Sequence, residues 1–332
     1  MLTSFLLALA PALSQAAAAQ SSGRAAPDAR APSEIVAAAP AADWVAIRPD
    51  DLVVMELAPD AAGRARRVVI QLAPPPFVQG WVANIGTLAK ARWWDGTSIN
   101  RVQDNYVAQW GDATEKKPLP SGLNKVAESE YEMPFHPGLF PSAWSNGAIV
   151  PVSAQSSGGA PTRAPKLADP YAEHYTFVDG MPFAMTMKGS TPDRVWPIHC
   201  YGSVGVGRNL SPDTGTGAEL YAVIGHAPRH LDRNIAVVGR VVEGIEHLSS
   251  LPRGTEALGF YKTEAERVPI RSVRLASDLP QAERPRFQYL STESATFAAY
   301  ANARANRRDA FFIRPAGGAD VCNLPVPVRR AP

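Results

Sequence analysis

The adjacent residues His199 and Cys200 are the first place where residue types suggest catalysis. A cysteine can act as a thiolate nucleophile when a nearby imidazole takes its proton. The pair lies in a stretch with strand character, and neighbouring side chains on a strand point to opposite faces, so the two groups cannot easily share a proton. Packing or a disulfide is therefore the favoured interpretation of Cys200.

The cysteine and histidine content does not indicate metal chemistry. The chain has two cysteines, Cys200 and Cys322, whereas structural zinc sites and iron–sulfur clusters need about four ligands. His226, His230 and His247 fit solvated or hydrogen-bonded surface positions better than ligand positions. We therefore expect no metal and no other cofactor.

Signatures of nucleotide-binding and hydrolytic sites are also missing from the sequence. The glycines of residues 202–207, GSVGVG, do not have GxGxxG spacing, and no predicted strand and helix frame them. The chain contains no GxSxG, P-loop or HExxH motif. These absences argue against the enzyme classes that depend on those motifs.

Composition excludes further classes of protein. A chain of 332 residues with 45% apolar and 19% charged residues can bury at least one core. The net charge is +2 and the basic residues are spread along the chain, which argues against nucleic acid as a partner. The 31 prolines and 25 glycines indicate many turns and argue against an all-helical bundle.

The elements that must position any site are mainly short β-strands. Strand patterns occur at residues 51–57, 67–72, 97–111, 202–208, 219–224, 235–242 and 268–276. Helical patterns occur at residues 73–91, 243–251 and 293–308, the last with Thr292 as a candidate N-cap. Many short strands with few helices favour a closed antiparallel barrel with capping helices, because closure leaves no exposed strand edge.

Both ends of the chain and one central segment differ from this pattern. Residues 1–19 are typical of a secretory signal, because an apolar run is followed by an A-x-A cleavage site at Ala19. Residues 20–42 are rich in Ala and Pro and indicate a flexible linker. We place a barrel domain at residues 43–280, a large loop insertion at about 113–198, and a C-terminal extension at 281–332.

Export would place the protein in the periplasm or outside the cell, where Cys200 and Cys322 can pair. In the chain-entropy model, a bridge across roughly 100 residues contributes up to about 4.7 kcal/mol. The alternative is a buried Cys200 and a solvent-facing Cys322 thiol in a loose tail.

An uncleaved membrane anchor is the alternative at the N-terminus, but the apolar run is shorter than the roughly 20 residues that cross a bilayer.

Two blocks of the sequence resemble the cyclophilin family of peptidyl-prolyl cis-trans isomerases. They are residues 93–112, WWDGTSINRVQDNYVAQWGD, and residues 202–248, which include VVGRVVEG. In that family a YDG..FHRV..GF..QGGD block precedes a block containing GSQFFI and VFGRV.EG. The resemblance covers roughly residues 50–278, interrupted by the insertion. It implies an eight-stranded antiparallel β-barrel capped by two helices, and isomerisation of X–Pro peptide bonds.

The resemblance also assigns roles to individual residues. It implies that Arg101 is the catalytic arginine and that Gln109 is the glutamine of the QGGD block. The pocket for the proline ring would be formed by Tyr106, Val107, Gly207, Glu219, Tyr221, Leu231 and Ile235. The sequence departs from the family's usual residues at Ile99, Asn100, Val107, Glu219, Tyr221, His230 and Ile235. These departures bear on substrate range and rate more than on the fold.

The chemistry that the resemblance implies needs no proton transfer. Rotation about a peptide bond has a barrier of about 18–20 kcal/mol because the C–N bond has partial double-bond character. As the bond twists, the prolyl nitrogen gains a lone pair, to which the fixed guanidinium of Arg101 would donate a hydrogen bond. Gln109 would hold a carbonyl in place. For an arginine taken alone, the ordinary alternative is a strand residue paired with a carboxylate such as Asp112.

The sequence therefore predicts an exported isomerase whose partners are proline-containing polypeptides. The alternative is a non-catalytic cyclophilin-fold chaperone, which Glu219 and the pair Ile99 and Asn100 favour, and which Arg101 and Gln109 disfavour. A third hypothesis is a structural envelope barrel tethered by its N-terminus. We expect no nucleic-acid binding, and no stable membrane insertion once the signal has been cleaved.

Overall fold

The computed structural model describes residues 30–137, 171–316 and 318–332. The predicted signal at residues 1–19, the first part of the linker at 20–29, and residues 138–170 of the insertion lie outside the described residues. Within the described residues, every helix is too short or too polar to span a bilayer.

Eight antiparallel strands close into a barrel, which confirms the predicted fold class. The strands of the described residues are β1 (Trp44–Ala46), β2 (Leu52–Leu57), β3 (Arg66–Leu72), β4 (Ser98–Val102), β5 (Val107–Gly111), β6 (Met133–Pro134), β7 (His174–Val178), β8 (Met181–Lys188), β9 (Thr191–Pro197), β10 (Ser203–Val206), β11 (Leu220–Val223), β12 (Val237–Glu243), β13 (Val268–Leu275), β14 (Phe287–Leu290) and β15 (Val328–Arg330). The barrel order is β10, β11, β5, β4, β13, β2, β3 and β12. The helices are α1 (Pro32–Ala37), α2 (Gln79–Lys90), α3 (Glu246–Ser249) and α4 (Ala295–Ala305).

Helix α2 packs one apolar face against the barrel core. Trp81, Ile85 and Leu88 recur at helical spacing, are at most 1% exposed, and belong to the same core as the inward-facing strand residues. The helix begins at Gln79, later than the pattern predicts, and Val78 is its N-cap, with a left-handed backbone. Helix α3 is shorter than predicted and packs beside β3.

The insertion, predicted as loops, contains a four-stranded sheet in the order β6, β9, β8, β7. A two-residue turn of Asp179 and Gly180 joins β7 to β8, and both residues have positive φ, as a type I′ hairpin turn requires. The sequence carries this Asp-Gly signal. The strands β8 and β9, on either side of Gly189, contain prolines. These prolines interrupt the strand pattern, so the two strands were not recognised from the sequence.

Elements near both ends of the described residues form an additional layer on the outside of the barrel. β1, β14 and β15 make a three-stranded sheet, and α1 packs against α4. The structure differs here from the predicted flexible linker, because Pro32–Ala37 is helical and buries Ile35. Ser294, and not Thr292, caps α4: its hydroxyl oxygen accepts the backbone N–H of Phe297 at 3.0 Å.

Cys200 and Cys322 form a disulfide that joins this outer layer to the chain segment before β10. Their Cα atoms lie 5.1 Å apart, and 122 residues separate them in sequence. The pairing places the C-terminal extension against the barrel domain rather than leaving it as a loose tail.

Candidate active site

A β-bulge in β4 aims the predicted catalytic arginine. Ile99 and Val102 are both fully buried in the barrel, although residues three apart on a regular strand face opposite sides. The pairing of β4 with β5 shifts register between Ile99 and Arg101, so Asn100 is the extra residue of the bulge. As a result, Arg101 lies directly opposite Gln109 on the outer face of the barrel.

The guanidinium of Arg101 is held from three directions. Its Nη1 donates to Gln109 Oε1 at 3.0 Å, its Nη2 to Gln103 Oε1 at 2.5 Å, and its Nε to the carbonyl of Leu258 at 2.7 Å. A guanidinium has about five N–H donors, so one N–H on each Nη remains for a substrate. Asp112 is not its partner, because that carboxylate accepts backbone N–H groups of its own loop instead.

Aromatic rings flank the same guanidinium. Its carbon lies 5.8 Å from the centre of the Tyr106 ring and 5.4 Å from that of Phe260. Burial lowers the pKa of Arg101 below its ordinary value. An arginine with a lowered pKa still carries its charge at neutral pH. The site therefore presents a fixed, partly desolvated cation.

Beside the arginine lies an apolar surface that is separate from the barrel core. Val107, Tyr221 and Val223 are buried together, with Tyr106 and Ile235 packed against them. This cluster forms part of the wall of a groove of about 720 Å³. The groove is lined by every predicted site residue: Arg101, Tyr106, Val107, Gln109, Gly207, Glu219, Tyr221, Leu231 and Ile235. The structure thus brings them together, while their roles in a reaction stay predictions.

Glu219 lies at the edge of the groove with its carboxylate over Gly111. A Cβ at Gly111 would overlap that carboxylate, so glycine leaves the space it occupies. Burial raises the pKa of Glu219, while hydrogen bonds from Asn100, Gln109 and the backbone N–H of Asp112 act in the opposite direction and do not cancel the rise. Gln109 therefore contacts Arg101 through its oxygen and Glu219 through its amide nitrogen.

Three residues around Arg101 were not predicted. Gln103 lies two residues after Arg101, just past the end of β4, and side chains two apart in extended chain share a face, a spacing that could have identified it. Leu258 and Phe260 come from the loop before β13, more than 150 residues along the chain, and no local pattern connects them to the arginine.

Among residues 30–137, 171–316 and 318–332, no group of three or more His, Cys, Asp or Glu side chains could hold a metal ion.

The chain is similar to one known protein family and to two solved structures. The family model of cyclophilin type peptidyl-prolyl cis-trans isomerase/CLD matches residues 64–275. The crystal structure of the cyclophilin AquaCyp293 from Hirschia baltica is similar at 22% sequence identity with a TM-score of 0.61, covering 86% of this chain and 92% of that chain. A cyclophilin type peptidyl-prolyl cis-trans isomerase from Cryptosporidium parvum, crystallised in the presence of the dipeptide Ala-Pro, has 10% identity and a TM-score of 0.35, covering 67% of this chain and 98% of that chain.

No curated protein sequence matches the chain. The Hirschia baltica structure supports the fold, since 92% of that chain aligns with this one at a TM-score of 0.61. The family model spans more than half of the chain and includes both blocks that carry the sequence resemblance. The chain therefore belongs to the cyclophilin-type peptidyl-prolyl cis-trans isomerase family.

Proposed function

We propose that the protein catalyses cis–trans isomerisation of X–Pro bonds in exported polypeptides, with Arg101 weakening the amide resonance of the substrate. The observation that carries this proposal is the pair of Arg101 and Gln109, fixed by a 3.0 Å hydrogen bond beside a separate apolar cluster. The apolar cluster would take the proline ring, and the guanidinium would face the nitrogen that carries it.

The arginine would act on the twisted amide rather than on the planar one. In a planar amide the nitrogen lone pair is delocalised and accepts no hydrogen bond, whereas rotation localises it. A donor that engages only the twisted state lowers the barrier instead of tightening ground-state binding. Because three hydrogen bonds already fix the Arg101 guanidinium, little reorganisation is needed when the lone pair forms. An acceleration of about 10⁶ requires roughly 8 kcal/mol.

Gln109 would serve the same step in two ways. Its Oε1 accepts from Arg101 and holds the guanidinium plane, while its amide nitrogen donates to Glu219. An amide nitrogen has two donors, so one N–H remains to hold a substrate carbonyl while the acyl side turns.

The proposal of exported substrates has two supports. Residues 1–19 have the composition of a secretory signal. The disulfide of Cys200 and Cys322 suits a periplasmic or extracellular protein, because such bonds persist in oxidising compartments and are rare in the cytosol.

A non-catalytic polypeptide-binding module is the second candidate function. Glu219 favours it, because a carboxyl at the edge of the groove replaces the family's glutamine and could disturb the placement of Gln109. In this case the groove would hold proline-containing segments without accelerating their rotation.

A protease-coupled assay on a short X–Pro peptide separates the two candidates. We expect Arg101→Ala to lower kcat/KM at least about tenfold, and Arg101→Lys to recover little of it, since lysine lacks the planar fork. Arg271→Ala, which removes an exposed arginine of β13, is the matched control and should leave the rate unchanged. Thermal unfolding should be similar for all variants. Turnover of the unmutated protein equal to that of buffer would leave only the binding module.

A further inference from the structure

A buried polar network lies directly beneath the proposed proline pocket, and the proposed mechanism does not use it. The Tyr221 hydroxyl lies 2.8 Å from His199 Nε2, and the two rings are nearly parallel, with 9° between their planes. Gly205 lies opposite Tyr221 on β10, and a Cβ there would overlap the tyrosine ring. Because Gly205 has no side chain, the Tyr221 ring can pack directly over it. In this position the tyrosine hydroxyl reaches the buried His199.

The network continues from His199 to Asp232. His199 Nδ1 lies 2.9 Å from Asp232 Oδ1, which also accepts the backbone N–H of His199 at 3.0 Å. Arg229 Nε donates to the other carboxylate oxygen at 2.6 Å. Burial acts to raise the pKa of Asp232, but the hydrogen bonds from His199 and Arg229 and the positive charge of the Arg229 guanidinium outweigh it, so that pKa is lowered. The carboxylate is therefore ionised, and its partners balance it.

These contacts assign the proton positions on the imidazole. An ionised carboxylate only accepts hydrogen bonds, so Nδ1 of His199 carries a proton and donates to Asp232. In the neutral imidazole Nε2 is then an acceptor, and the Tyr221 O–H donates to it. The Tyr221 hydroxyl, both ring nitrogens of His199 and both carboxylate oxygens of Asp232 have hydrogen-bond partners, so the histidine links the tyrosine to the carboxylate through paired atoms.

The network connects two sides of the pocket. Tyr221 belongs to the floor on β11, whereas Asp232 directly follows the turn Arg229–Leu231, whose Leu231 lines the groove. The neighbouring His230 stacks on Tyr106 with ring centres 6.5 Å apart. His199 is completely buried and contacts both Tyr221 of the floor and Asp232 beside this wall.

We propose that His199 is a positioning residue that sets the width of the proline pocket by holding Tyr221 and Asp232 apart. This inference rests on the proposed function, since it takes the groove as the site for X–Pro substrates. A pocket with rigid, hydrogen-bonded sides selects the five-membered proline ring against the six-membered ring of pipecolic acid, which is larger by one methylene. An apolar residue in place of His199 fills the same volume but makes no hydrogen bond to Tyr221 or Asp232. The two sides of the pocket are then no longer held at a fixed distance.

The test compares His199→Phe, Tyr221→Phe and the double variant on matched prolyl and pipecolyl peptides. We expect His199→Phe to raise KM for the prolyl peptide about five- to tenfold with kcat changed less than about twofold, the pattern of lost uniform binding. Its preference for proline over pipecolic acid should fall by a similar factor. In the Tyr221→Phe background, removing His199 should add little to KM, because the two residues act through one hydrogen bond.

Two controls keep the result interpretable. His199→Gln retains a donor for Asp232 and an acceptor for Tyr221 and should restore KM to within about twofold of the unmutated protein. His174→Phe replaces an exposed histidine on β7 and should change neither constant. An unchanged KM and unchanged ring selectivity in His199→Phe would overturn the inference even if that variant unfolds at a lower temperature.

Calorimetric Kd values for the same peptides distinguish this inference from the proposed activity. If the unmutated protein binds the prolyl peptide without turnover, the proposed catalysis fails, and the Kd of His199→Phe still has to rise about five- to tenfold and lose ring selectivity. Equal Kd values, additive effects in the double variant, or no binding by the unmutated protein would each contradict the positioning role.

Discussion

At the scale of single residues, Arg101 differs from an ordinary surface arginine because hydrogen bonds fix its guanidinium in one orientation. Three acceptors hold its guanidinium, one each from Gln103, Gln109 and Leu258. A long, flexible side chain normally loses entropy when it engages a substrate, and here that loss has been incurred on folding. The proposed rate therefore depends on the partners of the arginine as well as on the arginine itself.

Loss of one partner should lower the rate without removing it. We expect Gln109→Ala to reduce kcat about tenfold, because Arg101 Nη1 loses its acceptor and the guanidinium can tilt. Steady-state kinetics on the X–Pro peptide measure this, with the exposed Gln281→Ala as control. An unchanged kcat in Gln109→Ala would show that the hydrogen bond does not orient the arginine.

Glu219 makes the stability of the protein depend on pH. Burial raises the folded-state pKa of this carboxyl above its unfolded value, so its contribution to stability is present below the unfolded pKa and is lost as pH rises through the folded one. Glutamine does not ionise, so Glu219→Gln removes the loss of stability that ionisation of the buried carboxyl causes at high pH. We expect the variant to have the higher Tm at about pH 8 and a similar Tm at about pH 4, where carboxyls begin to protonate. A Tm difference that does not vary between these pH values would contradict the raised pKa.

The sequence identifies some of these residues and not others for a physical reason. Arg101 and Gln109 lie in one short block whose letters match a family, and pairing across adjacent strands brings them together. His199 and Cys200 are adjacent in sequence, yet His199 hydrogen-bonds and Cys200 forms its disulfide with a distant residue. Their partners Tyr221 and Cys322 lie 22 and 122 residues away, so no local spacing reveals the pairing.

At the scale of elements, the site depends on the close approach of β10 and β11. Gly205 and Tyr221 are directly paired, and the tyrosine ring occupies the space where a side chain on Gly205 would be. The floor of the pocket is thus shaped by a missing side chain on one strand and a large one on its neighbour.

Adding one methyl group at this crossing should disturb the pocket. We expect Gly205→Ala to displace the Tyr221 ring, raise KM several-fold and cost about 1–3 kcal/mol of stability by overpacking. Gly86→Ala is the matched control, because it lies within α2 with room for a Cβ and should stabilise the protein by about 0.5–1 kcal/mol. Urea unfolding and peptide kinetics measure both variants. Equal stability of Gly205→Ala and the unmutated protein would show that the ring can move at no cost.

The barrel strands were predictable because their β-branched residues and flanking turns leave a clear pattern. The eight barrel strands lie within, or within one residue of, the predicted strand regions, as β2 and β3 show, whereas β1, β14 and β15 of the outer layer were not predicted. The sheet of the insertion was missed because Pro182, Pro192 and Pro197 break the expected strand composition. Tertiary pairing overrides that local signal.

At the scale of the whole molecule, elements from both ends of the described residues cover one outer face of the barrel. Val53 and Met55 of β2 face the barrel core, whereas Leu52 and Val54 of the same strand belong to a second core shared with Ile35 of the terminal layer. A strand that is apolar on both faces must be covered on both. This continuous apolar run was present in the sequence and could have predicted the outer layer, which the low complexity of residues 20–42 concealed.

The disulfide should contribute to the stability of this assembly more than to its activity. We expect a Cys200→Ser, Cys322→Ser double variant to lose about 2–4 kcal/mol of unfolding free energy, because the bridge closes a long loop in the unfolded chain. Urea unfolding measures the loss, and dithiothreitol should lower the midpoint of the unmutated protein but not that of the variant. Identical midpoints for the two proteins without reductant would contradict a stabilising bridge.

The most direct test of the central claim is two-dimensional NMR exchange spectroscopy on an X–Pro peptide with catalytic amounts of protein. The account predicts exchange peaks between the cis and trans forms with the unmutated protein. It predicts their loss in Arg101→Ala, although the peptide still binds the apolar pocket of that variant and shows chemical-shift changes. Exchange that persists undiminished in Arg101→Ala, or that is absent with the unmutated protein, would contradict the account.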